Sequence, residues 1–345
     1  IISDKAVSEA TIGICVRTGD GRTLADIDSD NMIMPASNMK LISTGAALHR
    51  LGPDHQYVTK VGYDGKIVSG VLQGDLYIIG GGDPTTGSKD SIAAPIEKLF
   101  GQWEKMIRNA GIRRIEGHII GDGRYFDGMP EHPSWQWSDI GTYYGSGATG
   151  LMFYENAQSF RASAGKSTGD PVNIAPTYPV APWMEFRYSC TTGKAGTGDQ
   201  LYMYASDLSP VAEIRGTFGV DRAAKRVDCT NKFPEYTLAS YFADYLKGKG
   251  ISSDGPADFK DLGVSASRGI SAADGSGLSR QNYVSPDFFC RFLTAMMSSP
   301  YFEDYIYTLP SPGSKGTLSG NMKNSAPEVR SRIKVKSGSM NGVRC

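Results

Sequence analysis

Short apolar runs separated by glycine turns make up much of the chain, and they exclude a helical bundle. Glycine accounts for 42 of the 345 residues, roughly 12% against about 7% in ordinary proteins. A turn at Asp20-Gly21 between two apolar runs predicts a β-hairpin over 11–28. Helix-like runs cover about 37–51, 90–110, 235–248 and 286–298, and strand candidates include 115–120 and 332–337. We therefore expect a fold that mixes helices with short-stranded sheets.

Charge and hydropathy exclude other classes of protein. The chain carries 36 Lys and Arg against 36 Asp and Glu, so it lacks the basic surface of a nucleic-acid-binding protein. No apolar stretch approaches the roughly 18 residues that a membrane helix needs. The first residues are polar and do not resemble a signal peptide. A cleaved signal would be absent from the mature chain, so export stays open.

The cysteines and histidines do not predict a metal site. The five cysteines are widely scattered, and the four histidines show no spacing typical of metal ligands. We expect buried free thiols. Cys190 and Cys229 form the one pair that we consider as a possible bridge. No metal and no organic cofactor is predicted.

Ser37 and Lys40 are the sharpest candidates for chemistry. They lie three residues apart at the start of a predicted helix, so both side chains share one helix face. A lysine that is buried near other cations can accept the proton of a serine hydroxyl. By itself the Ser-x-x-Lys pattern also fits a capping serine followed by a solvated lysine.

A second motif, Lys336-Ser337-Gly338, favours the catalytic interpretation of Ser37 and Lys40 over the capping interpretation. It lies at the end of the strand candidate 332–337, where a cation and a hydroxyl can bind a carboxylate. The glycine lets the backbone approach a ligand closely. A Ser-x-x-Lys pattern followed by Lys-Ser/Thr-Gly in this order is typical of penicillin-recognising serine enzymes.

Three segments together make the chain resemble the class C low-molecular-weight penicillin-binding proteins, which are D-alanyl-D-alanine carboxypeptidases and endopeptidases. These segments are Pro35–Leu41 (PASNMKL), Asp274–Arg280 (DGSGLSR) and Lys336–Met340 (KSGSM). Parts of the central region also resemble that family, namely 74–84, 121–126 and 144–156. The resemblance covers nearly the whole chain.

The resemblance implies a role for each matching residue. Ser37 would be the acylated nucleophile and Lys40 its proton acceptor. Lys336 and Ser337 would bind the terminal carboxylate of the peptide, beside Gly338. The backbone N–H groups of Ser37 and Ser339 would form the oxyanion hole. The family usually has threonine at the position of Ser337, and the hydroxyl is retained here.

The resemblance also implies an α/β (α+β) fold, a β-lactamase/transpeptidase-like domain with two nested, mostly β, inserted subdomains. We expect the catalytic domain at 1–61 and 262–345, the first insertion at 62–84 and 180–261, and the second at 85–179. The implied partners are peptidoglycan stem peptides and β-lactam antibiotics, without nucleic acid or a membrane span. The implied location is periplasmic or otherwise exported.

The chain departs from the family at the third motif, Ser-x-Asn. The stretch from Ile251 to Asp274 is too short to hold that loop and its helices, and Ser29-Asp30-Asn31 matches only by letters. We expect a missing segment near 251–274 and a further one beyond 345. Two alternatives stay open: a β-lactamase or esterase on the same scaffold, and a non-catalytic cell-wall-binding protein.

Overall fold

A computed structural model of the protein divides the chain into two compact units. One unit comprises residues 1–56 with 273–345, and the other comprises residues 57–272. The second unit therefore interrupts the first in the sequence. The predicted subdivision of the insertion into 62–84 with 180–261 and 85–179 stays a prediction. The structure describes all residues except 1–4, 127–128, 207, 259–273, 281, 315–317, 341 and 345.

The first unit begins with the predicted hairpin and helix. Strands β1 (Ile14–Arg17) and β2 (Thr23–Ile27) pair antiparallel. A 3-10 turn, Ala36–Asn38, leads into helix α1 (Met39–Leu51). The helix ends at Gly52, whose N–H donates to the Leu48 carbonyl at 2.9 Å and whose φ of 80° directs the chain out of the helix. The helix is thus confirmed, with its expected first turn formed as the tighter 3-10 type.

The second unit combines several small sheets with helices. Its strands are β3 (Lys60–Tyr63), β4 (Lys66–Val68), β5 (Val71–Gln73), β6 (Leu76–Ile79), β7 (Arg114–Glu116), β8 (Ile119–Asp122), β9 (Ala157–Ser163), β10 (Asn173–Tyr178), β11 (Glu185–Gly193), β12 (Tyr202–Ser206), β13 (Ser209–Gly219), β14 (Lys225–Thr230) and β15 (Pro256–Asp258). Its helices are α2 (Ile96–Asn109), α3 (Trp137–Ile140) and α4 (Pro234–Gly248). The sheet orders are β15-β8-β6-β3, β4-β5-β7, β10-β9-β14 and β11-β13-β12.

Two apolar cores stabilise this second unit. In the first, the ring of Phe242 on α4 lies 5.0 Å from Phe100 and 5.4 Å from Trp103, both on α2. The second core lies among the later strands and contains Cys190 and Cys229. Both are buried free thiols, as the scattered spacing predicts.

The strand expected over 115–120 is divided into β7 and β8. Gly117 lies at the break, where a Cβ atom would come within 2.4 Å of the Gly74 carbonyl oxygen. The close approach of these two backbone segments therefore requires glycine and ends the first strand.

The first unit is completed by residues 273–345. It contains α5 (Pro286–Met297), α6 (Phe302–Tyr307), α7 (Pro327–Ser331), β16 (Ser339–Met340) and β17 (Val343–Arg344). The Tyr305 hydroxyl donates to the Leu41 carbonyl at 3.1 Å, which fixes α6 against α1. Throughout the part of the chain that the structure describes, no helix has the length and apolar character to cross a bilayer.

The strand predicted over 332–337 is wrong. Residues 333–338 have no regular structure, and the strand β16 begins only at Ser339. In this stretch the Val335 N–H donates to the Pro310 carbonyl at 3.0 Å, which belongs to a loop rather than to a strand. An alternating pattern alone does not form a strand, because the backbone groups need a neighbouring strand to pair with.

Candidate active site

Ser37 lies in a strained turn that opens α1. The preceding Ala36 is buried and has a φ of 43°, in the left-handed region that an alanine rarely occupies. The Asn38 N–H donates to the Pro35 carbonyl at 3.0 Å and closes the turn. Strain of this kind is frequently held at functional sites. The local fold therefore fixes the backbone on either side of the Ser37 hydroxyl.

Lys40 contacts Ser37 as the sequence predicts. Its Nζ atom donates to Ser37 Oγ at 3.1 Å and to the Ser276 carbonyl at 2.6 Å. Burial lowers the pKa of the Lys40 amine, and the positive charge of Lys336 lowers this pKa further. The Asp274 carboxylate acts in the opposite direction and raises it. The amine is thus held beside the hydroxyl in surroundings that favour its neutral form.

Residues 274–280 form a turn organised by Asp274, to which Asn282 is also bonded. Its carboxylate accepts hydrogen bonds from Ser276 N at 2.8 Å and from Asn282 Nδ2 at 3.2 Å. It also accepts bonds from the Ser276 hydroxyl and from Ser279 N. The Gly275 carbonyl in turn accepts from Ser43 Oγ on α1 at 2.7 Å. These contacts attach the turn to the same helix that carries Lys40.

Two motif glycines pack directly against the Ser37 turn. A Cβ atom at Gly277 would lie 1.8 Å from the Ala36 carbonyl oxygen, and one at Gly338 would lie 2.8 Å from the Pro35 carbonyl oxygen. Gly277 also has a φ of 82°. The three segments of the predicted motif set therefore meet at one place, and side chains at either glycine would separate them.

The structure places the predicted carboxylate-binding residues beside this turn. Lys336 is half-buried, and its Nζ atom donates to the Ser337 carbonyl. Ser337 and Ser339 are exposed, while Gly338 is buried. Burial lowers the pKa of the Lys336 amine. The site thus contains two lysines. Lys40 is bonded to the Ser37 hydroxyl, and Lys336 lies next in sequence to the exposed Ser337.

Asp274 and Ser276 are functional candidates to which sequence reasoning assigned no role. The segment Asp274–Arg280 contributed to the resemblance, but nothing in its letters shows that the Ser276 carbonyl binds Lys40. The available signal was the Asp-Gly-Ser-Gly pattern, which is typical of a tight turn. The expected third motif and the expected chain break near 251–274 fall mainly on 259–273, outside the described residues.

Solved structures identify the fold. Penicillin-binding protein 4 (dacB) from Haemophilus influenzae superposes with a TM-score of 0.73 at 20% sequence identity, over 96% of this chain and 85% of that one. The same protein complexed with a novel β-lactam gives a TM-score of 0.65 at 18% identity, over 96% and 84%. The predicted class, an α/β transpeptidase-like fold with inserted β domains, is confirmed.

Relatives identify the family. A D-alanyl-D-alanine carboxypeptidase from an Actinomadura species is 24% identical over 419 aligned positions, covering 99% of this chain and 76% of the relative. The D-alanyl-D-alanine carboxypeptidase DacB of Haemophilus influenzae is 22% identical over 409 positions, covering 99% and 82%. The model of the D-Ala-D-Ala carboxypeptidase 3 (S13) family matches residues 1–261 and 258–345. The chain belongs to this family of serine peptidases, and the predicted enzyme class is confirmed.

The alignments with the two carboxypeptidases are longer than this chain. They contain 419 and 409 positions, whereas the chain has 345 residues, so each relative carries residues that have no counterpart here. The family match comes in two segments that meet at 258–261. This meeting point falls within the stretch where the sequence predicts a missing segment.

Proposed function

We propose that Ser37 is the nucleophile of a D-Ala-D-Ala carboxypeptidase and that Lys40 is its base. The observation that carries this proposal is the 3.1 Å hydrogen bond between Lys40 Nζ and Ser37 Oγ, made by an amine whose pKa is lowered. A neutral Lys40 takes the proton as Ser37 Oγ attacks the carbonyl between two D-alanines. The resulting ammonium returns the proton to the departing amine of the last D-alanine, leaving an acyl-enzyme that water hydrolyses.

The terminal carboxylate of the peptide is assigned to Lys336 and Ser337. A lysine and a hydroxyl can each donate to a carboxylate, and the bond from a charged donor is the stronger. The half-buried position of Lys336 supports this, because a charge removed from water interacts more strongly with an opposite charge. The buried Gly338 keeps this segment close to the Ser37 turn. The backbone N–H groups of Ser37 and Ser339 are assigned to the oxyanion.

The substrate and the location follow from the same assignment. Peptides that end in D-Ala-D-Ala are the stem peptides of bacterial peptidoglycan, and β-lactams are reactive compounds that acylate the same serine. A substrate in the cell wall places the enzyme outside the cytoplasmic membrane. We therefore assign this chain to the periplasm or another exported location, with peptidoglycan peptides and β-lactams as its ligands.

Release of D-alanine tests this function directly. The protein is incubated with a short peptide ending in D-Ala-D-Ala and with a control peptide ending in D-Ala-L-Ala, and the free alanine is quantified by enantiomer. We expect D-alanine from the first peptide and no alanine from the second. A protein that releases no D-alanine but hydrolyses penicillin with many turnovers is a β-lactamase. A protein that does neither but binds peptidoglycan is a wall-binding protein.

Asp274→Asn is expected to move the acid limb of the pH–rate profile for penicillin acylation to lower pH. The Asp274 carboxylate raises the pKa of Lys40, opposing burial and Lys336. Removal of that charge lowers the pKa further, so a larger fraction of Lys40 is neutral at any pH below it. The midpoint of the limb is measured with a fluorescent penicillin. The control is Asp304→Asn, at an exposed position on α6. A shift of the midpoint to higher pH would contradict the stated charge relation.

A further inference from the structure

The segment 13–19, which contains strand β1, closely approaches both ends of helix α5. A Cβ atom at Gly13 would lie 2.9 Å from Pro286 Cγ, at the first residue of α5. A Cβ atom at Gly19 would lie 3.1 Å from Met297 Cε, at the last residue. Residues between these two contacts on the strand therefore face residues between them on the helix.

Cys15 and Cys290 lie opposite each other in this interface. Cys290 Sγ donates to the Cys15 carbonyl at 3.5 Å. Both are free thiols, and both are half-buried. Burial raises the pKa of the Cys290 thiol to about 11. A disulfide needs sulfur atoms about 2 Å apart on backbones that are already close, and this interface supplies the close backbones.

Charged groups surround the two sulfur atoms. Arg17, two residues after Cys15 on β1, forms an ion pair with Asp287 on α5. Asp287 also pairs with Arg291 at 2.6 Å. A thiolate is the species that attacks a disulfide.

We propose that Cys15 and Cys290 are a redox-active pair that closes into a disulfide joining β1 to α5. The oxidant is an external disulfide, either a small molecule or a protein. The Cys15 thiolate attacks one sulfur of the oxidant, which releases one thiol and leaves a mixed disulfide. The Cys290 thiolate then attacks the Cys15 sulfur and releases the second thiol. Two protein thiols are oxidised, and one external disulfide is reduced to two thiols.

The disulfide would anchor helix α5, which follows the turn that begins at Asp274 in the active site. Asn282, two residues after the 274–280 turn, is bonded to Asp274, and α5 begins four residues later. A disulfide between residues 275 positions apart closes a long loop and constrains the unfolded chain strongly. Oxidation is thus expected to stabilise the unit that carries Ser37 and Lys40, without touching either side chain.

Mass spectrometry of the whole chain tests the proposal. The reduced protein is incubated with oxidised glutathione, alkylated and digested with trypsin. Before alkylation we expect an intact mass about 2 Da lower than that of the reduced form. After digestion we expect a disulfide-linked pair of tryptic peptides, 6–17 with 281–291. Two separate glutathione adducts, unchanged thiols, or a link that omits either peptide would overturn the proposal.

Thermal unfolding supplies the second readout. The melting temperature is expected to be about 5–10 °C higher in the oxidised than in the reduced protein. Cys15→Ser and Cys290→Ser should abolish this difference, whereas Cys190→Ala should retain it. An equal difference in Cys290→Ser would overturn the proposal. If a variant does not fold, the disulfide-linked peptide pair from the unsubstituted protein still tests the proposal. Penicillin labelling of the same samples reports separately on the proposed function.

Discussion

Lys40→Met is expected to lower the rate of acylation by penicillin by about a thousandfold, within the range of 10²–10⁴ typical of general-base catalysis. The substitution keeps an unbranched side chain as far as Cε and removes the amine that bonds Ser37 Oγ at 3.1 Å. Without that amine the hydroxyl has to lose its proton to water. The rate is measured with a fluorescent penicillin under single-turnover conditions, so that deacylation does not enter.

Lys40→Arg is the matched variant for this prediction. Arginine keeps a positive charge and several N–H donors, but it is not deprotonated in proteins. We expect it to be as slow as Lys40→Met. An arginine variant that acylates at the rate of the unsubstituted enzyme would show that Lys40 acts as a cation rather than as a base.

Lys336→Ala is expected to lower acylation by a penicillin with a free carboxylate about 10- to 100-fold more than acylation by its neutral methyl ester. A hydrogen bond to a charged group contributes about 1.5–3 kcal/mol, which corresponds to this ratio. The same substitution removes a charge that lowers the pKa of Lys40, so the acid limb should move to higher pH for both compounds. The ratio of the two rates isolates the carboxylate contact from this shared effect.

Lys334→Ala is the control for Lys336. Lys334 is exposed in the same irregular segment, two residues before Lys336. We expect its substitution to change neither rate. Equal losses for the acid and the ester in Lys336→Ala would show that this lysine maintains the site without binding the carboxylate.

The sequence predicts local parts of the site well. Ser37 and Lys40 are three residues apart, so one turn of helix brings them together whatever the rest of the fold. The hairpin β1–β2 and the end of α1 at Gly52 depend on equally local signals. Each of these features is fixed by residues within a few positions of one another.

Contacts between distant segments could not be predicted in the same way. Lys40 bonds the carbonyl of a residue 236 positions away, and a backbone carbonyl leaves no signal in the sequence. The alternation of apolar and charged residues predicts a strand over 332–337, but the segment is irregular. Such alternation does not show whether a partner strand exists. Family resemblance joined the three segments, and the close approaches at Gly277 and Gly338 give the physical reason.

The third motif, Ser-x-Asn, is expected to affect the rate of peptide hydrolysis. Both relatives carry residues that this chain lacks, and the two family segments meet at 258–261. The family resemblance implies that the Ser-x-Asn loop supplies a polar group on the wall opposite Lys40. Proton return to the leaving amine is the step that such groups assist. Acylation by β-lactams should therefore be better preserved in this chain than hydrolysis of peptides, because opening of a strained ring needs less help at the leaving nitrogen.

Mapping of the penicillin adduct tests the assignment of Ser37 most directly. The protein is incubated with benzylpenicillin, its intact mass is measured, and the tryptic peptide 23–40 is fragmented. We predict one adduct, placed on Ser37, which Ser37→Ala abolishes. Ser29→Ala is the control, because Ser29 lies on the same peptide but is buried and donates to Asp26 at 2.6 Å. The Ser29→Ala variant should be labelled as the unsubstituted protein is. An adduct on any other residue, or labelling that persists in Ser37→Ala, would contradict the account.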